Sequence, residues 1–365
     1  MRLARLLLPL AISLVPQGSE PFRGVTTDGK VVPNLFRLAK TGVSTGPVKQ
    51  AADAFLASLT QDQRTATLYK VDDEEWRTRD NRTGMARGGV SLHDLTPEQR
   101  IKALDLFEKS LSAKGFRQSR DIMRLDETLR ELTGRPNYGE WRYRVSILGT
   151  PSATEPWGWQ VDGHHLNVNY FVLGDQVVMT PAFMGSEPTV AETGKYKGTA
   201  VLQEELNLGL KLMRALTPEQ QVTARIKSDK GLTDNVAEAY RDNVVLAYAG
   251  LQASKMSPAQ RESLRELIKE YIDNLPAGHA KVRMEEVEKH LPSTYFAWIG
   301  GTSDDSVFYY RIHSPVILIE YDHQRPAALG GSTASRNHVH TVVRTPNGGD
   351  YGKDLLRQHH EQHHH

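Results

Sequence analysis

The chain has 365 residues, 39% hydrophobic and 24% charged, an ordinary balance for a soluble globular protein that excludes disorder along its whole length. Lys and Arg number 45 against 44 Asp and Glu, and the resulting net charge of +1 offers a polyanion no footprint, so no nucleic acid partner is expected. Cysteine is absent, which excludes disulfides, thiolate ligands and a cysteine nucleophile, and leaves nitrogen and oxygen as the donors for any metal.

Two positive charges in Met1-Arg2-Leu3-Ala4-Arg5 precede the apolar run Leu6 to Val15, which Pro9 interrupts. The run is too short to span a bilayer but has the length of a signal-peptide core. Residues 1–20 are therefore expected to be a leader, the protein to be exported to the periplasm or the outside, and no stable membrane insertion to remain after leader removal. A hydroxyl followed by Gln three residues later recurs at Thr60, Thr96, Thr217 and Ser257, with Pro next in the last three cases. This is the capping-box signature, and it is expected to mark four helix starts and not a repeat architecture. Ile101, Leu104, Phe107 and Leu111 continue the second start at helical spacing, as do Ile122, Leu125, Leu129 and Leu132 before Gly134-Arg135-Pro136. Between the first two starts, a charged stretch from Asp72 through Arg77, Arg79 and Gly88-Gly89 is expected to be a long loop.

From Trp141 the period changes to two, through Trp157-Gly158-Trp159 to Met179, with short connections that predict antiparallel neighbours. Helices are expected again near 200–226 and 257–274, then strands at Tyr295 to Ile299, Val307 to Ile312, Val316 to Asp322 and His338 to Arg344. The fold class expected is α+β, a mostly antiparallel sheet with flanking helices in a single large domain over residues 45–352, followed by a flexible His-rich tail at 353–365.

Glu320 and Asp322 follow the apolar run Val316 to Ile319, where an unpaired charge is costly to bury, so a solvent-facing surface, an arginine such as Arg311 or Arg344, or a cation must satisfy them. His338 and His340 share one face of their strand at about 7 Å, a spacing that can chelate one ion. In Gly163-His164-His165 a strand gives one imidazole to a face, and His165 is preferred because Asn167 and Asn169 line its side. The expected metal ligands are His165, Glu320, Asp322, His338 and His340, with zinc, iron, manganese or copper as the divalent ion. Glu320 or Asp322 is the candidate catalytic base. Trp157, Trp159 and Arg77 are the candidate substrate contacts, although the tryptophans are more simply sheet packing and Arg77 a solvated loop residue. No serine-hydrolase elbow, phosphate-binding loop or dinucleotide fingerprint occurs.

Asp72-Asp73-Glu74-Glu75, Leu92 to Arg100, Gly149-Thr150-Pro151, Pro156 to Trp159, Gly163 to Leu166, Phe296-Ala297-Trp298, Ile319 to Asp322 and Asn337 to His340 together resemble the family known as domain of unknown function 3500, over most of the chain. After Asp322 the family tends to run through an Asn-rich stretch into its Asn-His-x-His, whereas here His323-Gln324-Arg325-Pro326 and a small-residue loop intervene. The resemblance implies the architecture, an exported setting and the site, without a substrate. The expected function is an exported metal-dependent enzyme acting on a small molecule, a hydrolase ahead of a non-haem oxygenase. The alternative is a non-catalytic metal or small-ligand binding protein.

Overall fold

The computed structural model describes residues 20–363, so the expected leader lies outside the described residues except for Glu20. Capping boxes form at all four starts: Thr60, Thr96, Thr217 and Ser257 each accept the backbone N–H three residues on, while the Gln there reaches back. Each box satisfies two N–H groups that a helix start otherwise leaves orphaned.

The boxes also reveal a repeat that the sequence reading did not expect. The first half runs α1 (Gly46–Ser58), α2 (Gln61–Thr67), a short strand Leu68–Tyr69, a long loop, a short strand Val90–Ser91, a 3₁₀ turn, α3 (Pro97–Ser110) and α4 (Ala113–Thr133). Its strands follow: β1 (Tyr143–Leu148), β2 (Trp157–Gly163), β3 (Leu166–Leu173) and β4 (Ala182–Ser186). The second half gives the same series: α5 (Gln203–Ala215), α6 (Pro218–Ala224), Arg225–Lys227, a loop, Leu251–Gln252, a 3₁₀ turn, α7 (Pro258–Ile272) and α8 (Ala277–His290). It closes with β5 (Tyr295–Gly300), β6 (Phe308–His313), β7 (Leu318–His323) and β8 (Val339–Arg344). Even the cap contacts repeat. Gln99 Nε2 donates to Ser58 O and Gln63 Oε1, both at 2.8 Å, and Gln260 Nε2 to Ala215 O at 2.8 Å and Gln220 Oε1 at 2.7 Å.

The two halves meet through their last strands. The sheet order is β5-β6-β7-β8-β4-β3-β2-β1, antiparallel at every step, with β4 on β8 at the centre. Short marginal strands bring the total to thirteen among the described residues. The α+β architecture with a mostly antiparallel sheet thus stands, although Leu68–Tyr69 and Arg225–Lys227 pair in parallel at its margins.

Alternation along the strands separates two faces. One face packs on the helices: Phe107 stacks on Trp159 at 5.0 Å, Trp159 on Tyr170 at 5.5 Å and Tyr310 on Tyr321 at 5.1 Å. Burying each such ring contributes about 1.5–3 kcal/mol. Opposite, the residues are polar: Gln160, Asp162, Asn167, Asn169, Arg311, Glu320, Asp322 and His340, all buried. The equivalent loops 70–89 and 228–250 cover this face, and their backbone groups bond to Gln160, Asp162, Glu320 and Asp322.

His313, also on the loop-covered face, lacks a partner at both ring nitrogens. Tyr248 stacks over it at 4.6 Å, and burial followed by the Arg311 charge lowers its pKa to about 3. The unfolded chain binds this proton near pH 6.5 and the folded chain does not, so stability present above pH 6.5 is lost as pH falls toward 3. Urea melts at pH 6.5 and 5 should show about 2 kcal/mol of acid destabilisation that His313→Phe removes, with little change at pH 7.5. An unchanged acid loss in the variant would show that His313 titrates normally.

The expected flexible tail is instead a helix, α9 (Lys353–His363), with Leu355 and Leu356 buried and Gln358 bonded to Phe36 O at 3.0 Å. No helix among the described residues is long and apolar enough to cross a membrane.

Candidate metal centre

Gly163 ends β2 and Leu166 begins β3, so His164 and His165 form a two-residue hairpin turn and not a strand. His165 takes a left-handed backbone with φ of 62°. That conformation costs a residue with a Cβ about 1–2 kcal/mol. The turn stacks the two rings with centroids 3.7 Å apart, so both lie at the site, where a strand would have sent one away.

His338 and His340 come from the other half, at the start of β8. The His338 Nε2 atom is 3.2 Å from His165 Nε2 and 3.0 Å from His340 Nε2. A first-row divalent ion with nitrogen at about 2.0–2.1 Å sets neighbouring donors roughly 3.0–3.4 Å apart, depending on whether it is octahedral or tetrahedral. The spacing therefore fits one ion. All three imidazoles are buried, with relative exposures of 2%, 5% and 7%.

Tautomers follow from the other ring nitrogens. His338 Nδ1 lies 2.6 Å from Arg325 O, which can only accept, so the proton sits on Nδ1 and Nε2 presents a lone pair. His340 Nδ1 faces Glu238 Oε1 at 3.7 Å, beyond hydrogen-bond distance. The 3.0 Å contact between the two Nε2 atoms is satisfied either by His340 donating Nε2–H to the His338 lone pair or by a cation between them. Burial, with the neighbouring imidazoles, pushes the pKa of both His165 and His338 well down, so a proton is a poor candidate and a metal ion a good one.

Carboxylates stand behind the ligands as metal-bound histidines commonly require. Glu187 Oε2 is 3.6 Å from His338 Nδ1, and its oxygens also accept the N–H groups of Ala328 and Leu329, holding the loop that follows β7. Glu238 is buried; burial pushes its pKa up, but His340, Gln324 and Arg241 outweigh that and hold it below the usual range. A second group of metal-type atoms within 4.8 Å joins Asp126, His164 and His165. Asp126 Oδ1 is 2.6 Å from His164 Nδ1, and Asp126 Oδ2 accepts Gly139 N–H at 3.0 Å.

Several expected site residues take other places. Glu320 accepts from Tyr309 Oη at 2.6 Å, Val236 N at 2.9 Å and Ala237 N at 2.7 Å. Asp322 pairs with Lys230 at 2.8 Å and accepts from Asp234 N at 2.9 Å and Gln324 Nε2 at 3.0 Å. Neither joins a metal-type group among the described residues. These carboxylates anchor the 228–250 loop, which carries Glu238 toward His340, and stand apart from the three imidazoles. Burial raises the pKa of both, opposed at Glu320 first by Tyr309 and at Asp322 first by Lys230.

Trp157 and Trp159 lie on the helix face of the sheet, away from His340, with their indole N–H groups on Ser152 O and Ser110 Oγ. Arg77 is buried in ion pairs with Asp242 and Glu74 and also donates to Glu20 O, so it ties the loop down and does not await a substrate. Sequence reasoning passed over Asp126, Glu187 and Glu238. Asp126 did carry a signal, because it falls on the apolar stripe of α4 between Ile122 and Leu129.

No curated protein and no solved structure matches the chain. The model of a family described as "Protein of unknown function (DUF3500)" matches residues 41–353, and the chain therefore belongs to that family.

Proposed function

We propose that the protein is a metal-dependent hydrolase acting on a small molecule outside the cytoplasm, with a divalent ion held by His165, His338 and His340. The observation that carries the reading is the convergence of three imidazole Nε2 atoms at 3.0 and 3.2 Å, with the His338 proton placed on Nδ1 by Arg325 O. Three neutral nitrogens without a carboxylate depart from the two-histidine, one-carboxylate pattern of iron oxygenases and suit zinc with an open fourth position. An ion so held acidifies a water toward a pKa of about 7 and polarises a carbonyl or phosphoryl oxygen.

His164 completes the chemistry. Asp126 fixes its ring with the proton on Nδ1, so His164 Nε2 is an acceptor beside the ligand His165. As water adds to the electrophilic centre of the substrate, His164 Nε2 takes the proton, and it returns that proton to the leaving group when the scissile bond breaks. Tyr138 at 5.0 Å, and Tyr143 Oη donating to His164 O at 2.7 Å, hold the turn in place.

The test uses hydrolysis of p-nitrophenyl acetate by the zinc-loaded chain. His164→Gln should keep one metal per chain and lose about 10²-fold in kcat, the usual contribution of a positioned acid-base group. Equal rates for wild type and His164→Gln would remove His164 from the mechanism. Full metal content with no hydrolysis above that of the free ion would favour a second reading, a metal that staples the two halves. That reading is supported by the ligands straddling the β4–β8 seam and by their burial.

A further inference from the structure

The helix-facing side of the same two central strands floors a second cavity. Its walls come from the β3–β4 connection, β4, β8 and the α7–α8 turn, and its cavity volume is about 70 Å³, opening to solvent at the mouth. Met184 and Thr341 line it, whereas their strand neighbour Gly185 faces the His165 and His340 rings and His340 itself belongs to the imidazole cluster. The cavity therefore lies back to back with the metal centre, separated from it by the thickness of the sheet.

Its lining combines an apolar body with two unsatisfied polar atoms. Val177, Met179, Ala182, Ile317, Leu275 and Val343 supply the body. Asn274 and His279 also line the cavity, at 4% and 5% exposure, and Asn274 Oδ1 and His279 Nε2 have no hydrogen-bond partner. Two such atoms in one buried site carry a desolvation cost that a ligand's hydroxyl or amide removes. Two arginines line the cavity: Arg37 is exposed to solvent, and Arg283 is already engaged by Glu286 Oε2 at 2.6 Å, Val316 O at 2.6 Å and Thr345 Oγ1 at 3.1 Å. A carboxylate directed at Asn274 would meet its carbonyl oxygen and not a free cation, in a lining that already holds the carboxylates of Glu286 and Asp354.

We infer that this cavity is a binding site for a neutral amphipathic molecule, with an aliphatic or aromatic body and a hydroxyl or primary amide head directed at Asn274 and His279. A hydroxyl suits both atoms, since it can donate to Asn274 Oδ1 and accept from His279 Nε2. The site is independent of the metal and of the hydrolase reading.

The test is calorimetric titration of the full chain with 1-hexanol and, separately, with hexanoate. Saturable binding of 1-hexanol is expected, about tenfold or more tighter than that of hexanoate. Val282→Trp, at a half-buried position of α8 that lines the cavity, should abolish binding while the chain remains folded by circular dichroism. His279→Leu should keep the space and lose about tenfold for hexanol, without matching loss for hexane. Should Val282→Trp fail to fold, Val177→Trp in the short strand opposite takes its place. Hexanoate binding as tightly as hexanol would overturn the neutral head group. No saturable hexanol binding, or binding unchanged in the folded tryptophan variants, would overturn the site.

Discussion

Replacing His338 and His340 together by Ala is expected to lower bound metal from near one per chain to below about a tenth, because only His165 remains of the three convergent donors. Elemental mass spectrometry should be done in a background with His359, His360, His363, His364 and His365 changed to Gln. Substitution is preferable to truncation, since α9 buries Leu355 and Leu356 against the fold. A metal held by these residues would join a turn of the first half to a strand of the second, so its loss is also expected to loosen the β4–β8 seam. An ion present at about 1,000 times its Kd stabilises by roughly 4 kcal/mol, and a chelator should lower the melting temperature of the wild type by about 5–10 °C. The double variant should melt at the chelated wild-type temperature and ignore the chelator. Wild-type protein that takes up no divalent ion on reconstitution would end the metal reading and with it the hydrolase.

The capped helix starts, most of the strands and their antiparallel neighbours were legible because they rest on local rules, whereas the pairing of β4 with β8 at the centre was not. Period-two alternation from Trp141 and capped starts at Thr96 and Ser257 depend on neighbours within a few residues. The duplication was visible only as four short cap patterns, since the requirements on the rest of each half are for apolar volume and not for particular residues. His338 and His340 were found from spacing alone. His165 was chosen for its strand companions, yet it reaches the site through a left-handed turn that a reading in strand terms does not contain. Glu320 and Asp322 show where charge in an apolar run misleads. The argument that something must satisfy them was sound, but the partners are backbone N–H groups of a loop some 80 residues upstream, together with Tyr309 and Lys230. Backbone donors carry no sequence signature, so a cation and an anchor loop look alike until the chain is folded.

Glu320→Ala separates those two roles, and it is expected to be the most destabilising single substitution on the loop-covered face. The change leaves the N–H groups of Val236 and Ala237 and the hydroxyl of Tyr309 without their acceptor in a place with 0% exposure. Each buried unsatisfied group costs about 1–3 kcal/mol, and release from burying a carboxylate offsets part of the sum, so a net loss of about 3–5 kcal/mol is expected by denaturant melts. Glu320→Gln should cost less, because its carbonyl oxygen retains one of the N–H partners. Below the midpoint of unfolding, Glu320→Ala should still bind about one metal per chain, while limited proteolysis should cut the 228–250 loop faster than in the wild type. Loss of the metal with stability unchanged would restore Glu320 to the ligand set and break the account of it as the loop's anchor.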